Sequence, residues 1–464
     1  MRIPHIRDYT GQRVHMVGIG GSSMSGLADM LRHKGYQVSG SDRTDSYATR
    51  RLRELGIPVI VGHSAQNVDG AALVVYSAAI DPSNPERAAC DALGIPTLER
   101  AYLLGQLMEG YSRAIGVCGA HGKTTTTSML AQVLLDTGFD PTIHIGGRLD
   151  AIGGSTRIGQ GDTFLAEACE FNASFLQLRP TMAVLLNIDA DHLDYYRDIE
   201  HIQETFAQFL ALLPQDGLCV GCGDDERVLA LMHGLRCPGV TYGFAPHNRW
   251  QPVNLVYDEA GYPTFDAALD GRVLAHVVLR VPGGFQVLNA LAALAAAYAA
   301  GADMARAGQA LSDFAGVHRR FELTGIVQGV RLYHDYGHNP AEMANVLSVA
   351  RLQRHNRLWA VMQPHTYSRV KRLFGDYIHC CDAADEVLIT DIYAAREKDP
   401  GDIHSTMLVD RIAATGKSVH YTPTFDDTEA YLRAHWQPGD LVLTMGCGDI
   451  NLLNEQLQAH ENQA

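Results

Sequence analysis

The chain has 464 residues and a formal charge of -15, with 46% hydrophobic and 19% charged residues. That length exceeds one ordinary core and predicts about three domains, and the composition excludes disorder as the default state. The negative balance argues against nonspecific binding to nucleic acid or to an anionic membrane, while leaving room for local basic pockets.

The start, Met1-Arg-Ile-Pro-His-Ile-Arg-Asp8, lacks the apolar core of a signal peptide. The longest apolar helix candidate, Val287 to Ala300, is too short to span a bilayer. The expectation is a cytoplasmic protein without membrane insertion. Nine scattered cysteines, an odd number, do not read as a disulfide framework. The one C-x-x-C, Cys219-Val-Gly-Cys222, lies in an apolar strand and reads as structural.

Residues 13–18 read as a strand that runs into Gly18-Ile-Gly20-Gly21-Ser22-Ser23-Met24-Ser25-Gly26 and then a helix through Leu31. A second strand, Tyr36 to Ser39, leads to Asp42. A glycine-rich first turn with an acidic residue about twenty positions on is the Rossmann dinucleotide pattern, here with Ser23 in place of the third glycine. The loop equally suits another diphosphate, such as that of a UDP-sugar. Strand-like runs at Val59–Val61 and Ala72–Tyr76 continue the alternation. A parallel α/β domain over residues 1–112 follows.

A second domain, 113–322, opens on the buried strand Ala114 to Cys118 and the loop Gly119-Ala120-His121-Gly122-Lys123-Thr124-Thr125. Apolar residues at Met129, Leu130, Val133 and Leu134 mark a helix after it, and Gly138 stands where that helix would end. Strand, glycine loop, Lys-Thr and helix form a phosphate-binding loop in a shorter-spaced variant. Unpaired N–H groups at the helix start and the helix dipole both favour phosphate. Lys123, read as an exposed charge, reaches the β/γ-phosphates, and the Thr124 hydroxyl is placed for Mg²⁺. The strand from Thr163 delivers Glu167 and Glu170, and the strand Thr181 to Asn187 leads to Asp191-His192-Leu-Asp194. Ligands of open α/β sheets sit at the carboxyl ends of strands, so Glu170 and His192 join Thr124 as candidate metal ligands. The stretch Gln286 to Tyr298 is apolar on all sides and reads as a buried helix.

A third α/β domain, 323–464, is expected from strand-like runs at Val330–Tyr333, Leu358–Met362, Val387–Thr390 and Leu441–Met445. Polar clusters follow three of them: His334-Asp335-Tyr336-Gly-His338, Gln363-Pro-His365-Thr-Tyr-Ser-Arg369 and Gly446-Cys-Gly-Asp449. Three clusters at three strand ends point to a site.

Together these motifs, with Arg319-Arg320-Phe-Glu322 and Asp391-Ile-Tyr-Ala-Ala-Arg-Glu-Lys-Asp399, resemble the Mur ligases over nearly the whole length. Two of them, Gln363 to Arg369 and Asp391 to Asp399, resemble the alanine-adding member. The resemblance implies three domains, an N-terminal Rossmann-like UDP-binding unit, a central P-loop ATPase-like unit and a C-terminal Rossmann-like unit. It implies ATP- and Mg²⁺-dependent joining of L-alanine to the carboxylate of UDP-N-acetylmuramate; the alternative is a sister ligase that attaches recycled murein peptide. Gly20, Gly21, Ser22, Ser23, Met24 and Ser25 would hold the UDP moiety, with Asp42 near the uridine and Ser77 also on the substrate side. Gly119 to Thr125 would hold ATP, with Asn289 near the adenine, Arg320 near the phosphates and Asp335 near the ribose. Tyr336, His365 and Arg369 would line the alanine and acyl end. Lys123, His192, Arg320, His338, His365 and Arg369 make up the implied catalytic set, with His338 and His365 both open as acceptors of the alanine proton.

The sequence also departs from the family. Its Glu-Ala-Asp-Glu-Ser-Asp reads Glu167-Ala-Cys-Glu-Phe-Asn172 here, its His-Asn before the adenine-side helix reads Phe285-Gln286, and Asn339 replaces a common second histidine. Several sibling ligases carry a carbamoylated lysine at a position that falls near Phe206, and no lysine lies between Lys123 and Lys371. A nicotinamide oxidoreductase would rest only on Gly18-x-Gly20 and Asp42 and would leave Lys123-Thr124 unexplained. A nucleotide-binding regulatory subunit is the non-catalytic alternative.

Overall fold

The computed structural model describes residues 3–190, 192, 195–395 and 397–461. Asp191 and Asp194 of the Asp-His motif, and Arg396, lie outside the described residues. The fold is α/β, with three successive sheets that are mostly parallel.

The first sheet has the order Val59–Val61, Gln37–Asp42, Arg13–Val17, Leu73–Tyr76, Thr97–Glu99, all parallel. Its central strand is buried on both faces, as expected when helices cover a parallel sheet. The helix Ser22–His33 follows the glycine loop and packs against the strand Gly154–Arg157 of the next unit. A Cβ at Gly26 would lie 1.9 Å from Thr156 Oγ1, so only glycine permits that approach. The core of this unit runs on without a break into one face of the second sheet, through Leu103, Leu107, Phe175, Phe206 and Phe209.

The second sheet is ten-stranded. Five parallel strands, Gly239–Tyr242, Leu218–Cys222, Met182–Leu185, Arg113–Cys118 and Thr163–Glu167, form its middle. Its flanks carry strands that the apolar runs of the sequence do not mark. An antiparallel meander, Trp250–Tyr257, Pro263–Leu269 and Arg272–Val278, extends one side. On the other side Thr142–Leu149 pairs parallel to Thr163–Glu167 and antiparallel to Gly154–Arg157. The helix Lys123–Asp136 ends at Thr137, and Gly138 takes the left-handed position one residue on, at φ +88°. It packs on the helix Gly284–Ala300, which is capped by Gly283 and Gly301 and buried along most of its length. Among the described residues no helix is long and apolar enough to cross a membrane.

The third sheet has the order Glu322–Val327, Val330–Asp335, Leu441–Met445, Leu358–Met362, Glu386–Ile389, Val419–Tyr421, with only the first pair antiparallel. It therefore begins at Glu322, directly after Arg319-Arg320-Phe321. Arg319 and Phe321 adopt positive φ, at +63° and +46°, a costly conformation held by the contacts around it. Arg319 donates to the carbonyls of Gly446 and Gly448, and Asp335 accepts from Phe321 N, so the third unit fixes this turn.

Candidate active site

The phosphate loop is held from below. Asn187 exchanges hydrogen bonds with both backbone groups of His121, and Ala120 N donates to Asn187 O. Gly122 sits at φ +82°, and a Cβ there would lie 2.8 Å from Asn289 Oδ1. Asn289 is itself buried, accepting from Thr126 Oγ1 and donating to Gln286. It supports the loop from underneath in this arrangement, whereas the family resemblance assigns it to the adenine.

Lys123 is largely buried, which corrects its reading as an exposed charge. Its ammonium donates to Glu170 Oε1 at 2.9 Å and to the carbonyls of Gly119 and Ala120. Burial would lower its pKa, but Glu170, Cys169 and Glu167 outweigh that and hold the ammonium charged well above the ordinary range. Glu170 lies just beyond the strand Thr163–Glu167 and is buried; its second oxygen, Oε2, meets no hydrogen-bond partner among the described residues. His192 Nε2 lies 3.7 Å from Glu170 Oε1, and its ring meets Phe171 edge to face at 4.9 Å. Thr124 is buried beside Lys123 at the helix start.

One cavity of about 830 Å³ connects the three units. Its lining includes Ser22 of the first; Lys123, Thr124, Glu167, Cys169 and His192 of the second; and Arg320, Tyr336, His338, His365, Arg369 and Cys447 of the third or the turn leading to it. The guanidinium groups of Arg319 and Arg320 lie 4.9 and 5.0 Å from the Tyr336 ring. His338 and His365 face each other with ring centroids 5.6 Å apart. Burial, helped by the nearby His338 and Arg369, pulls His365 down to about 4.

Other residues singled out in the sequence stand elsewhere. Asp42 accepts from Gly20 N, which ties the first glycine loop to the end of the strand Gln37–Asp42. Ser23 Oγ is bonded to His144 Nε2 at 2.8 Å and accepts from Arg100, tying the loop to the second unit. The Met24 side chain is in the core. Gly21 and Ser22 are exposed, Ser25 donates to Ser22 O, and Ser77 is half-buried after the strand Leu73–Tyr76. Asp335 is buried, accepts from the backbone of Phe321 and Gly337, and has its carboxyl pushed up by that burial. Thr125 is buried in the first turn of the helix Lys123–Asp136. Asp189 and Glu342, which no motif marks, flank the His121 ring at 3.0 and 3.1 Å.

The oxygen donors are compatible with Mg²⁺. A buried carboxylate with an unpartnered oxygen, a threonine hydroxyl at a phosphate loop and a nearby imidazole suit an ion that keeps waters and uses few protein ligands. Among the described residues no three His, Cys, Asp or Glu side chains converge into a metal cage.

Comparisons with known proteins agree with this architecture. Residues 13–112 match the Mur ligase family catalytic domain, 117–297 the Mur ligase middle domain and 319–448 the Mur ligase glutamate ligase domain. The UDP-N-acetylmuramate–L-alanine ligase of Acetivibrio thermocellus is 46% identical over 445 residues, covering 96% of this chain and 95% of the relative. The crystal structure of the UDP-N-acetylmuramate–alanine ligase of Thermotoga maritima aligns at TM-score 0.83 and 28% identity, covering 97% of this chain and 99% of that one. A murein peptide ligase from Psychrobacter arcticus shares the fold at TM-score 0.76 and 24% identity, covering 98% and 99%. Phosphate loop, three-unit cavity and these matches lead to one assignment: the chain belongs to the Mur ligase family.

Proposed function

We propose that the chain is an ATP-dependent ligase that joins L-alanine to the carboxylate of UDP-N-acetylmuramate through an acyl phosphate, in peptidoglycan precursor synthesis. The observation that carries this reading is the single cavity reaching Ser22, Lys123 and Arg369, one from each unit. The 46% identity to an alanine-adding relative favours alanine over a preformed peptide. The reading divides the chain into units 1–112, 113–322 and 323–464, and it puts the reaction in the cytoplasm with ATP.

In the first step a muramate carboxylate oxygen attacks the γ-phosphorus, and the bond to the β-bridging oxygen breaks to release ADP. In the second, the alanine amine attacks the acyl carbon and phosphate leaves. No side-chain nucleophile is needed, so catalysis is positioning and charge stabilisation. Lys123 supplies positive charge at the phosphates, turning from Glu170 toward the nucleotide. Arg320 adds a second cation from the third unit. Thr124, Glu170 and His192 would hold Mg²⁺, which neutralises charge on the transferring phosphoryl group when bound. Gly20 to Ser25 and Asp42 orient the UDP moiety, partly by backbone N–H groups, since the Ser23 hydroxyl and Met24 side chain are engaged elsewhere. Tyr336, His365 and Arg369 position the acyl and alanine groups.

Mass spectrometry of the product after incubation with ATP, Mg²⁺, UDP-N-acetylmuramate and L-alanine tests the proposal. A mass gain of one alanyl residue on the UDP-sugar is expected; an unchanged UDP-sugar overturns it.

A further inference from the structure

Glu342 lies three positions after the Asn339 N-cap of the helix Pro340–Leu352, where a glutamate closes a capping box. Capping uses only one of its oxygens. Oε2 accepts from the backbone N–H groups of His338 and Asn339 and lies 3.7 Å from His338 Nδ1. Oε1 leaves the third unit and meets His121 Nδ1 of the phosphate loop at 3.1 Å. The other nitrogen of His121 meets Asp189 Oδ2 at 3.0 Å. Carboxylates only accept, so both nitrogens of His121 donate, and the ring links two acids on two units. Burial would raise the Glu342 carboxyl, but His121 and then His338 and Arg320 outweigh it and keep the group ionised.

The same carboxylate bears on the choice between the two candidate proton acceptors. His338 Nδ1 lies 3.3 Å from the Tyr336 carbonyl oxygen, which can only accept, so Nδ1 carries the hydrogen and Nε2 the lone pair in the neutral ring. The ring faces Glu342 from its own helix, Tyr336 from its own loop and His365 from the strand-end loop opposite, with Arg320 acting on Glu342 and Arg369 acting on His365. Among the described residues, Glu342 is a carboxylate placed to stabilise a proton on His338. Among the described residues no carboxylate stands as close to a His365 nitrogen, and the burial of His365 disfavours the imidazolium.

We propose that Glu342 is a positioning residue for the second half-reaction: it holds His338 as acceptor of the amine proton and locks that acceptor to the phosphate loop through His121. The inference rests on the ligase reading above. The alanine ammonium gives one proton to His338 Nε2; the freed nitrogen lone pair forms the bond to the acyl carbon, the carbon–oxygen bond to phosphate breaks, and the departing phosphate carries off the second amine proton. The acceptor is set only when the third unit is docked on the loop that carries the nucleotide.

The test compares two nucleophiles on the full-length protein. Alanine is an ammonium ion near neutral pH and needs an acceptor; hydroxylamine is largely unprotonated there and captures the acyl phosphate as a hydroxamate without one. Glu342→Gln keeps the shape and an oxygen for the cap but removes the charge. Alanine-dependent phosphate release is expected to fall about a hundredfold, the scale of a general-base contribution, while hydroxamate formation stays within about twofold. His338→Gln is expected to show the same split, and hydroxamate formation also reports that each variant is folded. Equal losses with both nucleophiles, or no loss with alanine, would overturn the proposal. A wild-type protein that forms neither product would instead remove the ligase reading beneath it.

Discussion

Lys123 Nζ lies 2.9 Å from Glu170 Oε1, and the lysine is the hydrogen-bonded partner of that buried carboxylate. The phosphate-loop cation is thus paired internally and must exchange one anion for another when phosphate arrives. Lys123→Ala is expected to abolish ligation and to lower stability by about 3 kcal/mol, because it strands a buried charge. Adding Glu170→Gln to that variant should recover much of the stability and none of the activity. Thermal unfolding and phosphate release on the three proteins check this; wild-type turnover in Lys123→Ala contradicts the ATP assignment.

Glu170 is also the proposed metal ligand with an oxygen to spare. Glu170→Gln is expected to raise the Mg²⁺ concentration for half-maximal rate about tenfold or more, the scale of losing a charge-assisted ligand contact. Binding of UDP-N-acetylmuramate, measured by calorimetry, should change much less. An unchanged metal dependence removes Glu170 from the ligand set.

Phe206, near which the family resemblance would put the carbamoylated lysine of sibling ligases, is fully buried in a cluster with Phe175 and Phe209. It meets Phe175 edge to face at 5.2 Å, while Phe175 stacks on Phe209 at 4.6 Å. Arginine cannot replace the lysine, since carbamate formation needs a neutral amine. Activity in buffer stripped of carbon dioxide is expected to equal activity with added bicarbonate. Phe206→Ala should cost about 3–5 kcal/mol of stability as a core cavity. A reversible gain of activity with bicarbonate contradicts this reading of the site.

Glu86 is fully buried in the first unit, accepting from Ser41 and Asn67, with His15 Nε2 at 3.9 Å. Burial would raise its pKa, but His15, Ser41 and Asn67 outweigh it and hold the acid at about 2, below its ordinary 4.5. A depressed carboxyl contributes stability that is complete above the unfolded value and lost as pH falls through the folded one. Acid unfolding of the first unit is therefore expected to draw on this group between about pH 4.5 and 2. Glu86→Gln should remove that share, about 3 kcal/mol at neutral pH. An unchanged acid limb in the variant contradicts it.

The phosphate loop was legible because its chemistry is local: glycines, Lys123 and Thr124 must be adjacent to act. The buried helix Gly284–Ala300 was legible because its apolar residues encircle it. The meander from Trp250 to Val278 was not, since its strands are half-exposed at a sheet flank and carry Pro252 and Pro263, which weaken the alternating pattern. The pairing of His121 with Glu342 was also invisible, because 221 positions separate them and neither lies in a spacing that implies contact. Ser23 is similar: the replaced glycine was visible, but not its contact with His144, which depends on how the first two units pack.

The proposed ligation releases phosphate only when both substrates are present at once. Release measured with ATP and Mg²⁺, with each of UDP-N-acetylmuramate and L-alanine alone and together, tests it directly. It predicts sustained release only with both, and weaker release when serine or glycine replaces alanine. Release that proceeds at the same rate without alanine, or without UDP-N-acetylmuramate, would contradict it.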